Sequence, residues 1–331
     1  MPRPSLDAVS GMNAPGDADE GSGRCREAVH GLDSGASPVY LYGGSLRGLA
    51  GNVRASENPF FHRGPILDPA YFFGRTQEIA DILSLLSTNR SCSVVGGTKR
   101  GKTSVLLHLQ RDQTLHQHGI NAEGCLRPYL SMEGFANAAP GAFFHCLLRE
   151  TLRCPGSPAV PSGDKRMAPM GDIRFADLEA AMARLADAGR RVVFLIDDFD
   201  LVGGARELDA EALAALSELG ARPYCTFVVA AHQSLERLAL PPAAPDSFAD
   251  AFAPVHLRRF SRRDVTEMVR TLSERAGRLW DVNLDRIMDW TGGVPYMTQL
   301  ACSLLWRRSS AATRSLTDAD YDYVFQEFMD Q

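Results

Sequence analysis

No Cys-x-x-Cys pair occurs among the seven cysteines of this 331-residue chain, and their odd, scattered distribution supports neither a disulfide framework nor a zinc site. Long apolar runs are also missing. The longest, such as Val192–Ile196 and Phe227–Ala231, have the length of buried strands, far short of the ~20 residues that cross a bilayer. The N-terminus lacks the apolar core of a signal peptide. Residues 1–56 contain no Phe, Trp or Ile but ten glycines, too little apolar area to offset the entropy of ordering them. No G-x-S-x-G elbow occurs, so a hydrolase triad has no recognisable nucleophile, and there are no internal repeats. Excess positive charge is absent too: the net charge is −5, which gives no global pull toward nucleic acid or an acidic membrane surface. These absences exclude a secreted mini-domain, a membrane span, a collagen and a zinc finger. They leave a cytoplasmic α/β protein.

Three regions follow from composition: a disordered segment at 1–56, in which Val39-Tyr40-Leu41-Tyr42 is the one patch able to dock, a main domain at 57–259, and a helical domain at 260–331. In the main domain, helical spacing marks 75–86, 102–118, 142–152, 175–185 and 209–219. Strands are expected at 91–95, 127–132, 192–196, 225–231 and 254–257, with an irregular Pro/Gly-rich loop at 154–171. Alternation at this spacing implies a mainly parallel sheet flanked by helices. Past residue 260 the pattern is helical only. Ser261-x-x-Asp264 opens the first helix, and segments near 283–290, 295–308 and 318–329 follow, the last capped by Thr317.

Gly96-Gly97-Thr98-Lys99-Arg100-Gly101-Lys102-Thr103 fits G-x-x-x-x-G-K-[ST] without substitution, between an expected strand and an expected helix. Glycines let backbone N–H groups converge on phosphates, and the helix start adds its positive dipole end. Lys102 then reaches the terminal phosphates, and the Thr103 hydroxyl can ligate Mg²⁺. The strand Val193-Phe194-Leu195-Ile196 ends in Asp197-Asp198, delivering two carboxylates to the same crevice. Asp197 is expected to hold magnesium and Asp198 to orient or deprotonate water, with slow hydrolysis because aspartate is one methylene shorter than glutamate. Asp200 reads as a cap for the following turn.

The runs Asn58-Pro59-Phe60, Gly64-Pro65-Ile66, Asp68-Pro69 and Phe72-Phe73-Gly74-Arg75 with Glu78 precede this loop, which continues into Ser104. Together with Asp197-Asp198 and Gly292-Gly293-Val294-Pro295, they resemble bacterial AAA-like P-loop ATPases of the STAND class over roughly residues 58–330. The resemblance implies an ATP/ADP switch. Phe73, Gly74 and Arg75 would lie near the adenine, and Pro295 would touch base or ribose from a helical lid. Read alone, Pro295 is equally the first residue of a helix.

The sequence departs from that family after Cys225–Ala231, where a small polar γ-phosphate sensor is usual. Here His232 and Gln233 follow, as sensor candidates or as plain loop residues. No winged-helix, repeat or effector region is legible before Gln331, so sensing or output is expected from self-association or a separate partner. Arg206, Arg222, Arg258 and Arg259 are unranked arginine-finger candidates. The basic run Arg258-Arg259-Phe260-Ser261-Arg262-Arg263 leaves a second reading open, a DNA-associated AAA-like ATPase of origin-recognition or helicase-loader type. A non-hydrolysing nucleotide-binding scaffold is a third. His116 and His118 make a poor metal pair.

Overall fold

Strands rich in β-branched and aromatic residues alternate with amphipathic helices until residue 256, and only helices follow. The computed structural model describes residues 58–60, 64–135, 142–157, 173–204, 208–238, 246–309 and 315–330. The expected disorder at 1–56, Arg206 and most of the 154–171 loop lie outside the described residues. The elements, in order, are α1 (Thr76–Ser87), β1 (Cys92–Val95), α2 (Lys102–Leu109), α3 (Asp112–His116), β2 (Cys125–Leu126) and β3 (Tyr129–Ser131). Then come α4 (Ala142–Arg153), α5 (Phe175–Asp187), β4 (Arg191–Asp197), α6 (Ala210–Gly220), β5 (Cys225–Ala231) and β6 (Ala253–His256). Helices α7 (Arg262–Arg275), α8 (Leu284–Thr291), α9 (Pro295–Arg308) and α10 (Asp318–Met329) close the chain.

Every strand pairing is parallel, and the order across the sheet is β2/β3, β4, β5, β1, β6. The sheet is therefore a parallel α/β sheet flanked by helices, as expected. β4 and β5 are buried almost throughout, which is why both read as unbroken apolar runs. Phe194 and Phe227 face each other in register and stack with ring centroids 5.1 Å apart. Around them Leu178, Met182, Leu213 and Leu216 bring α5 and α6 onto one face. The topology carries β1 and β4 to either side of β5, so the tips of all three open onto one crevice.

Two expectations need correction. The helix expected over 102–118 breaks after Leu109, because Arg111 is extended (φ −84°, ψ 131°). The break is held from outside the helix. Arg127 Nε donates to the Gln110 carbonyl, Gln110 Nε2 donates to the Arg127 carbonyl, and Thr114 donates to the His108 carbonyl. Of the strand expected over 127–132 only Tyr129–Ser131 forms, as β3: Arg127-Pro128 separates it from β2, which lies before the expected start, and Met132 is already in a 3₁₀ turn. The caps fare better: Ser261/Asp264 and Thr317/Asp320 both form reciprocal capping boxes.

The helical region has a core of its own, with Val265, Met268, Leu272, Ile287, Ala301, Leu305 and Val324 inside. Phe60, counted by sequence with the 57–259 domain, is buried in that core between Trp280 (5.1 Å) and Trp306 (5.5 Å). Asn58 fixes it there by donating to the Ser303 carbonyl and hydroxyl at 2.9 Å each. The segment preceding the phosphate loop thus begins on the helical region and returns to the sheet. On the way Phe72 stacks on His108 at 4.0 Å.

Burial foremost, aided by Arg111 and His118, holds the His108 pKa down to about 4, below its usual 6.5. The folded state therefore keeps His108 neutral while the unfolded chain takes up a proton. Stability from this source is intact above pH 6.5 and declines as pH falls toward about 4. In His108→Gln, the thermal midpoint should fall less steeply than in wild type between pH 6.5 and 4. Identical slopes in a pH series of melts would contradict this.

Candidate nucleotide-binding site

The loop from Gly96 to Gly101 leaves β1 and enters α2 with Lys99 and Gly101 both at positive φ (62° and 86°). No side chain caps the start of α2, so its first N–H groups are available to an anion. Lys102, only 7% exposed, curls back and donates to the Gly96 carbonyl (2.8 Å) and the Gly97 carbonyl (3.4 Å). Burial lowers its pKa, while Asp200, Asp197 and Asp198 pull it the other way.

The acidic tip of β4 is tightly engaged. Asp197 is 1% exposed, and its carboxylate accepts from the Tyr129 hydroxyl (2.9 Å) and the Asp198 backbone N–H (3.0 Å). The Thr103 side chain reaches the same carboxylate. Burial first, then Asp198, raises the Asp197 pKa against these donors. Asp198 sits at φ 54°, outside the ordinary strand region, and accepts from the Ser131 hydroxyl at 3.0 Å. Glu133 lies near both aspartates, and burial followed by their charge raises its pKa.

Asp200 does not cap a turn. It accepts from the backbone N–H of His232 (2.8 Å to each oxygen) and meets His232 Nδ1 at 2.6 Å. The tip of β5 is thereby tied to the segment after β4, with the imidazole held beside the phosphate loop. Gln233 instead donates to the Arg237 carbonyl.

A cavity of about 280 Å³ joins these parts. Thr98, Lys99, Arg100, Gly101, Lys102, Thr103, Ser104, Asp198 and His232 line one side, and Phe73, Arg75 and Pro295 contribute to the lining as well. Gly96, Gly97, Gly74, Asp197 and Gln233 are not in the lining. Gly96 and Gly97 act through their carbonyls, Asp197 through Thr103, and Gly74 packs on Phe260. Ser104 accepts from the Ile66 N–H (2.9 Å), and the Arg100 guanidinium turns away to the Leu257 carbonyl (3.1 Å). Arg222, which pairs with Glu179, and Arg258 and Arg259 also lie outside the lining.

Sequence reasoning missed Tyr129, Ser131, Phe260, Met268, Tyr296 and Gln299. Tyr129 and Ser131 alternate on a strand next to Asp197 and Asp198, and that register was the available signal. Pro295 opens α9 and also lines the cavity. One residue further on, the Tyr296 ring lies under Lys99 Nζ, 4.3 Å from its centroid. The donors expected of a Mg²⁺ site, the Thr103 hydroxyl and the neighbouring Asp197 carboxylate, are side by side. Among the described residues no cluster of three or more acidic, His or Cys side chains forms a metal cage. Such a sparse set suits an ion that takes its remaining ligands from phosphates and water.

Residues 71–229 match the AAA ATPase domain. Among solved structures, a Walker-type ATPase of Pyrococcus abyssi superposes with a TM-score of 0.57 at 12% identity, covering 82% of this chain and 75% of that one. The Aeropyrum pernix ORC2 protein in its ADPNP–ADP complexes gives 0.55 at 15% identity, covering 82% and 71%. Domain III of the Thermotoga maritima replication initiation protein DnaA gives 0.51 at 14%, covering 81% and 100%. No curated protein matches the chain. The fold is that of a P-loop, AAA-like ATPase with a helical C-terminal region, and among the described residues no helix is long and apolar enough to cross a membrane.

Arg75 holds the site's frame. It is 7% exposed and left-handed (φ 69°), pairs with buried Glu78 at 3.1 Å, and donates to the carbonyls of Arg100 (2.9 Å) and Arg258. Arg75→Met should cost about 3 kcal/mol, because buried Glu78 then keeps only the Arg258 backbone N–H (3.2 Å) and the more distant, exposed Arg258 guanidinium (3.9 Å). Adding Glu78→Gln should recover part of that loss in urea denaturation. A single variant within about 1 kcal/mol of wild type, the value of an exposed pair, would show the clamp to be dispensable.

Proposed function

We propose that this protein is a cytoplasmic, Mg²⁺-dependent ATP-binding switch of the AAA/STAND type with slow hydrolysis. One observation carries the reading: phosphate loop, acidic strand tip and the first turn of α9 all line a single cavity, and Lys99 contacts Tyr296 across it. A ligand that engages the loop must therefore act on the helical region as well, which is what a nucleotide-controlled device requires.

In this reading the loop amides and Lys102 take the β- and γ-phosphates, with Lys102 exchanging its bonds to Gly96 and Gly97 for phosphate oxygens. Thr103 and Asp197 would hold Mg²⁺, which when bound neutralises charge on the terminal phosphates. Asp198, kept in its left-handed conformation and oriented by Ser131, positions the attacking water and accepts its proton. His232, aligned by Asp200, would serve as the γ-phosphate sensor. Output would pass to another copy or to a separate partner through the helical region.

The likeness in fold to an ORC2 protein and to DnaA keeps a DNA-associated reading in view. Against it, the basic run is largely engaged within the chain: Arg259 donates to the Gly292 carbonyl (3.2 Å), and Arg262 pairs with Asp285 (2.9 Å).

Isothermal titration should show ATP and ADP binding to wild type and a loss of roughly tenfold or more in Lys102→Ala, as removal of a charge-assisted contact implies. Equal affinity in both proteins would place the nucleotide elsewhere. Asp198→Asn should bind ATP within about threefold of wild type yet hydrolyse it about a hundredfold more slowly, the lower bound for losing a general base. Unchanged phosphate release would remove Asp198 from the reaction.

A further inference from the structure

The cavity's second wall is chemically unlike the first. Phe73, Phe260, Met268, Pro295 and Tyr296 bring aromatic and apolar surface to it. Among the described residues Gln299 supplies the only carboxamide of the lining, one turn after Pro295 and Tyr296 on the same face of α9. It is 7% exposed, and its Oε1 is shut off from solvent without a hydrogen-bond donor. Its neighbours on α9 behave otherwise: Thr298 bonds to Thr291 and to the Val294 carbonyl. A carboxamide oxygen buried without a donor in the wall of this cavity points to a group that arrives from outside the chain.

We propose that Gln299 reads the edge of the nucleobase and makes the site selective for adenine. This rests on the nucleotide reading of the preceding section. Oε1 accepts from the exocyclic amino group, and Nε2 donates to a ring nitrogen, the bidentate pairing that a carboxamide makes with adenine. Phe73 and Pro295 supply apolar contact for the purine faces. The same setting disfavours guanine, which presents a 6-oxo acceptor where adenine presents its amino donor. Gln299 Oε1 is then left buried opposite an acceptor, without a donor.

The test is calorimetric titration of the full chain with three Mg²⁺ triphosphates: ATP, GTP, and purine riboside triphosphate, which lacks the amino group. Wild type should bind ATP about tenfold or more tightly than the other two, as one bidentate contact implies. Gln299→Leu should lower ATP affinity to that of purine riboside triphosphate while leaving the latter within about threefold of its wild-type value. Gln299→Met, closer in length, replaces the leucine variant if melting shows the latter unfolded. A wild type that binds ATP without discriminating the amino group overturns the assignment, as does a folded variant that keeps the preference. A wild type that binds none of the three fails earlier, at the nucleotide site itself.

Discussion

One buried guanidinium holds the site together. Arg75 joins α1 through Glu78, the phosphate loop through the Arg100 carbonyl, and the exit from β6 through the Arg258 carbonyl, while lying 5.2 Å from the Phe260 ring centroid. Burial disfavours its charge, and Glu78 offsets much of that cost. Three elements distant in sequence therefore share one set of hydrogen bonds. The loop cannot shift without disturbing the junction to the helical region, and the junction cannot shift without disturbing the loop.

Backbone strain is distributed in the same place. Of the four described non-glycine residues at positive φ, Arg75, Lys99 and Asp198 belong to the site and only Asn89 lies apart. Each such conformation costs on the order of 1 kcal/mol or more and persists because its surroundings enforce it. Gly293 complements them on the helical side. It has φ 71°, its carbonyl accepts from the Phe260 N–H at 2.7 Å, and any Cβ there would collide with the Phe260 carbonyl. The close approach of α8–α9 to the junction thus depends on the absence of a side chain.

Much of this was legible in the chain. The phosphate loop and Asp197-Asp198 were visible because their spacing encodes local backbone geometry, and β4 and β5 because burial on both faces demands uninterrupted apolar residues. What escaped notice depends on residues far apart in sequence. The break after Leu109 rests on Arg127, and the role of Asp200 rests on His232. Tyr129 and Ser131 gain meaning only when β3 is paired with β4 in register. Phe60 looks like the start of the main domain but fills a gap between two tryptophans contributed by the other end of the chain.

Both edges of the sheet carry a proline, Pro128 beside β3 and Pro254 within β6. Neither can offer an amide proton to an incoming strand, and the hydrogen bonds of Leu195 to the Pro128 carbonyl and of Ala253 and Leu257 to β1 and its flank show that the inward sides are already engaged. Each margin thus lacks one amide proton of a full ladder, which blunts both outer strands as templates for an incoming chain and leaves the sheet's hydrogen bonding directed inward, toward the crevice-forming strands.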